Sequence, residues 1–71
     1  MRDAAALERL ETLYDVLLPM MDERMRRQWA AAEAQAYGWG GIRAVSAAIG
    51  MSANTVRRGL QELSAREPTP A

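Results

Sequence analysis

The chain has 71 residues and contains neither cysteine nor histidine. That excludes disulfides, thiolate or imidazole metal sites, and nucleophilic triads with their usual base, so no catalytic, cofactor or metal site is expected. Nine arginines balance nine acids, but unevenly: residues 1–23 carry a net charge of −4 and residues 24–71 a net charge of +4.

A chain of this length forms one small domain with a modest core. Its charge split favours a nucleic-acid partner for the basic part. All nine cations are arginine, the side chain suited to two-point contacts with phosphate and guanine. No apolar run reaches the roughly 18–20 residues of a membrane span, and no apolar signal segment follows Met1-Arg2-Asp3. The expectation is a soluble, cytoplasmic, all-α protein: a small bundle of about four helices.

The first helix is predicted from about Asp3 to Leu18, with Asp3 as N-cap or first-turn acid. Leu7, Leu10, Tyr14, Leu17 and Leu18 recur at spacings of three and four, and Glu8, Glu11 and Asp15 flank them. Pro19 closes the pattern, since it lacks an amide donor and restricts the residue before it. Residues 1–19 thus form an acidic amphipathic helix. Its stripe of Leu7, Leu10, Tyr14 and Leu17 suits either the domain's own core or a homodimer.

Asp22 is a natural N-cap for a second helix from Glu23 to Tyr37, ended by Gly38 as a left-handed cap. Met25, Trp29, Ala32 and Ala36 are its predicted inward stripe. Arg24, Arg26 and Arg27 lie off that stripe. Gly38-Trp39-Gly40-Gly41 reads as a turn rather than a phosphate loop, because the preceding strand and the Lys-Ser/Thr tail are missing. Trp39 is expected to pack over the domain rather than face DNA.

A third helix is predicted over Ile42–Ile49, with Ile42, Val45 and Ile49 inward, and Gly50 ends it. Ser52 caps a fourth helix from Ala53 to about Ala65, with Val56, Leu60 and Leu63 inward. This is the sequence form of a helix-turn-helix over residues 41–63, within a DNA-binding domain of residues 20–66. Ser46 is the small crossing residue and Gly50 the turn residue that tolerates positive φ. Gly59 costs roughly 1 kcal/mol of helix propensity and allows close approach of another helix. Residues 67–71, with Pro68 and Pro70, read as a linker-like tail.

The fourth helix then presents Ser52, Ala53, Asn54, Arg57, Arg58 and Gln61 as candidate base-reading residues of double-stranded DNA. Arg pairs bidentately with guanine, and Asn and Gln with adenine. Arg24, Arg26, Arg27, Arg43 and Thr55 are candidate phosphate contacts, which position without specifying. Alone, Arg57, Arg58 and Gln61 read equally well as a solvated helix face; the turn before them favours DNA.

Residues 22–63 also resemble the N-terminal region of the ISAzo-family transposases, insertion-sequence enzymes of the DDE class. The resemblance rests on Asp22-Glu23-Arg24, Arg26-Arg27, Trp29-Ala30-Ala31, Glu33-Ala34, Gly38, Gly40-Gly41-Ile42, Gly50-Met51-Ser52, Thr55-Val56-Arg57-Arg58-Gly59-Leu60 and Glu62-Leu63. It implies a DNA-binding head that recognises the ends of a mobile element. In that family the catalytic carboxylates lie in a downstream RNase H-like domain, and no acid of this sequence is assigned to them. A small helix-turn-helix transcriptional regulator and a helical dimerisation or protein-interaction module are the alternative readings.

Overall fold

A computed structural model describes residues 4–65. Four α-helices follow one another: α1 Ala4–Leu17, α2 Glu23–Tyr37, α3 Gly41–Ile49 and α4 Ala53–Ala65. A 3-10 turn, Leu18–Met20, links α1 to α2. No strand occurs among the described residues, and none of their helices is long and apolar enough to cross a membrane. The expected all-α bundle is the architecture observed. The candidate N-cap Asp3 and the tail 67–71 lie outside the described residues.

Helix boundaries follow local chemistry. Asp22 caps α2, its Oδ1 accepting the Met25 amide at 2.8 Å. Ser52 caps α4, its hydroxyl oxygen accepting the Thr55 amide at 3.1 Å. Each such cap stabilises its helix by about 1 kcal/mol. Gly50 ends α3 in the left-handed region at φ 72° and ψ 27°. Ser46 then closes the turn from both sides. Its carbonyl accepts the Gly50 and Met51 amides, and its hydroxyl donates to the Met51 carbonyl. That second bond requires a hydroxyl, which alanine, equally small, would not supply. Gly38 takes φ 94° with ψ −139°, so it ends α2 by positive φ but not in the left-handed helical conformation expected.

The core is made of small side chains. Leu10, Met21, Ala30, Ala31, Ala34, Val45 and Val56 are buried, and the largest side chains wholly out of water are Val45 and Val56. Ile42, Ile49, Met51 and Trp29 pack partly buried around them. α2 is central, packing on both α4 and α3, while α1 lies across α3.

The inward stripe expected for α2 is corrected. Met25 is 51 % exposed, and Ala32 and Ala36 are exposed too; only Trp29 of that set is half-buried. The buried residues are Ala30, Ala31 and Ala34. The cause is backbone proximity at two crossings. A β-carbon on Gly59 would overlap the Arg27 carbonyl and lie 3.0 Å from the Ala31 Cβ. A β-carbon on Gly41 would likewise overlap the Ala34 carbonyl. Helices this close admit only alanine between them, so the large residues of α2 are turned away.

The stripe of α1 serves the chain's own core. Leu10 is buried beside Ala30, Val45 and Val56, and Tyr14 stacks on Trp29 with ring centroids 5.5 Å apart. Leu7 and Leu17 are half-buried. The large apolar side chains that α1 and the following 3-10 turn leave exposed are others: Leu13, Val16 and Met20.

Candidate nucleic-acid interface

α4 is built from two alternating sets of residues. Val56 and Gly59 are buried, and Leu60 and Leu63 half-buried, on the side facing α2 and α3. The 3.6-residue period then turns Asn54, Arg57, Arg58 and Gln61 outward, and all four are exposed. These positions are spaced i, i+3, i+4 and i+7, so they form one stripe along the helix. Arg57 is steadied within it by donating from Nη1 to Asn54 Oδ1 at 3.1 Å.

The other two candidate base-readers differ. Ser52 is exposed, but its hydroxyl is engaged in capping and lies 2.8 Å from that of Thr55. Ala53 is half-buried. Thr55, a candidate phosphate contact, is therefore part of the cap as well.

The candidate phosphate-binding arginines part ways. Arg43, on the first turn of α3, is exposed and shares a hollow with Arg57, Gln35, Gly38 and Gly40. Arg26 shares another with Arg58, Thr55, Tyr14 and Glu23. Arg26 is half-buried, donating from Nη2 to the Leu18 carbonyl at 3.4 Å, while its buried Nε has no hydrogen-bond partner. Arg24 is exposed near the start of α2 and lines neither hollow.

Arg27 is turned inward to Glu62 of α4. Its Nε donates to Oε1 at 2.9 Å and its Nη2 to Oε2 at 2.6 Å. Gln28 adds a third donor to Oε1 at 3.1 Å, and Arg58 Nε approaches Oε2 at 3.4 Å from one turn earlier on α4. The Arg27 hydrogen bonds, joined by that of Gln28, hold the Glu62 carboxyl down from its usual 4.5 to about 2. Arg27 is raised in turn, chiefly by the same contact. This four-residue seam did not emerge from sequence reasoning, except that Arg58 and Glu62 stand at i, i+4 spacing.

Trp39 corrects another expectation. It is 95 % exposed instead of packed over the domain. The described residues contain no group of three or more His, Cys, Asp or Glu that could hold a metal ion.

No family model, curated protein or solved structure matches this chain.

Proposed function

We propose that this protein is a double-stranded DNA-binding module in which α3, the turn at Gly50 and α4 act as a helix-turn-helix. The observation that carries the reading is the uncovered stripe of Asn54, Arg57, Arg58 and Gln61 along α4. It combines the side chains that pair with guanine and adenine edges at the spacing of one helix face. α4 has 13 residues, about 20 Å of helix at 1.5 Å per residue, and a helix of ordinary diameter fits a major groove of about 12 Å. In this reading Arg43, at the start of α3, contacts the phosphate backbone that the first helix of such a pair crosses. We read the module further as the end-recognition head of an insertion-sequence transposase, on the resemblance in residues 22–63.

The test is selection from a pool of random duplexes, followed by titration of the enriched and scrambled sequences. The enriched duplex should bind more tightly, and replacing Arg57 and Arg58 by alanine should each cost about 1–3 kcal/mol per true base contact. Equal affinity for both duplexes at moderate salt would overturn the sequence-specific reading. Matching the enriched sequence to the genome separates the assignments. Terminal repeats of a mobile element favour the transposase, and a promoter site favours a regulator.

A further inference from the structure

Trp39 displays almost its whole indole to solvent, an apolar surface of about 150–250 Å². The backbone around it is built to do this. Gly38 and Gly40 both hold positive φ, at 94° and 77°, yet nothing lies within 4 Å of where their β-carbons would stand. These two glycines therefore serve conformation, not close packing. They turn the chain from α2 into α3 and leave the ring outside. The position is a constructed one, not the end of a frayed segment: the Gly38 amide bonds to the Ala34 carbonyl and the Gly41 amide to the Gly38 carbonyl.

The groove that Trp39 itself lines is mostly apolar, with Leu7, Ala44, Ala47 and Ala48 beside one cation, Arg43, and one acid, Glu11. Gly40, Arg43 and Arg57 line the next, which contains no acid. Arg43 is common to both, so indole, Arg43 and Arg57 follow one another across the surface toward the outward stripe of α4.

We propose that Trp39 is a DNA contact: its ring packs against a deoxyribose of the strand whose phosphate Arg43 binds, beside the groove that α4 reads. The inference rests on the DNA-binding reading of α4 and adds a residue from outside the motif. A partner covering both grooves meets Arg43 and Arg57 with negative charge and the indole with an apolar surface. A DNA strand does both, repeating phosphate and sugar with every nucleotide, about 3.4 Å of helix axis. α3 begins two residues after Trp39, and the first helix of a helix-turn-helix crosses the backbone, which brings the ring to the sugars.

The experiment titrates a labelled duplex of mixed sequence with the full chain and its variants at several salt concentrations. Trp39→Ala removes no packed contact, so circular dichroism should match the parent. Its duplex affinity should fall about tenfold, the scale of one aromatic contact to nucleic acid, with an unchanged salt slope. Arg43→Ala should instead lower the slope by about one. Duplex should alter tryptophan emission in the parent but not in Trp39→Phe, where only Trp29 remains. Parental affinity in Trp39→Ala, with binding still lost in Arg57→Ala/Arg58→Ala, overturns the Trp39 contact and leaves the α4 reading standing. Failure of the parent to bind any duplex overturns both. Loss of self-association in Trp39→Ala without loss of DNA affinity assigns the ring to a protein interface and also overturns the proposal.

Discussion

Arg27 of α2 and Glu62 of α4 are joined by two parallel hydrogen bonds, at 2.9 and 2.6 Å, with side chains only 15 % and 23 % exposed. The pair lies at the same crossing where Gly59 meets the Arg27 carbonyl. One seam therefore sets how α4 lies on α2 in two ways, by a steric limit on the backbone and by a directional ion pair. Arg58 also reaches Glu62, so the seam touches the outward stripe as well. In a half-buried pair of this kind desolvation offsets much of the attraction, but removing one partner leaves the other charge without its counter-ion.

The first prediction concerns pH. The Glu62 carboxyl is depressed from 4.5 to about 2 in the folded chain. A depressed carboxylate contributes stability that is fully present above the unfolded value and is lost as pH falls through the folded one. Thermal melts should therefore show a midpoint that declines as pH drops from about 5 toward 2. Glu62→Gln should melt lower than the parent near neutrality, and the gap should close across that acid window. Other carboxylates are common to both proteins and cancel in the difference. A gap that stays constant from neutrality to pH 2 would show that Glu62 is not the linked group.

The second concerns Gly59. Alanine in place of a mid-helix glycine ordinarily gains up to about 1 kcal/mol of helix propensity. Here the added methyl would overlap the Arg27 carbonyl and press on Ala31. The obstacle is main chain, which cannot rotate aside, so α4 must shift as a body. The sign should reverse, and chemical denaturation of Gly59→Ala should show a loss of at least about 2 kcal/mol, the scale of overpacking. A variant as stable as the parent would mean that the two helices are not in backbone contact.

Gly50 provides the contrasting case. Nothing lies within 4 Å of its absent β-carbon, so only its left-handed φ of 72° resists substitution. Gly50→Ala should cost about 1–2 kcal/mol, the penalty for an L-residue in that region. Gly50→Asn should cost less, because asparagine visits the left-handed conformation more readily. Equal losses for the two variants in denaturant titrations would point to packing at the turn rather than backbone conformation.

What was legible in the sequence divides along the same physical line. Asp22, Gly50 and Ser52 act through atoms at most a few residues away, so α2 and α4 have the bounds their caps predict. The outward position of Asn54, Arg57, Arg58 and Gln61 was legible too, because the period of α4 alone decides it. The Arg27–Glu62 pair was not, since 35 residues separate its partners and only the crossing of two helices brings them together. Trp39 misled because its size and apolarity argue for burial, whereas the positive φ of its two neighbouring glycines turns it out.

The last prediction tests why α2 misled. Large apolar residues dominate a helical stripe, and Met25 and Trp29 fall in register with Ala32 and Ala36. Close helix contact rewards smallness instead, and alanine at 30, 31 and 34 looks the same in sequence as alanine at 32 and 36. Size substitutions separate the two faces. Ala31→Leu places a branched side chain where the Ala31 Cβ already stands 3.0 Å from the position a Gly59 β-carbon would take. It should destabilise by about 1–3 kcal/mol or more, since both walls at that point are helices and neither collapses locally. Ala32→Leu, on the exposed side, should change stability by no more than about 0.5 kcal/mol, and Met25→Ala should be comparably mild because half its surface is already in water. If Ala32→Leu and Met25→Ala proved costly in denaturant titrations while Ala31→Leu was silent, the predicted stripe would be the true inner face, and α4 would have to cross α2 somewhere other than at Gly59.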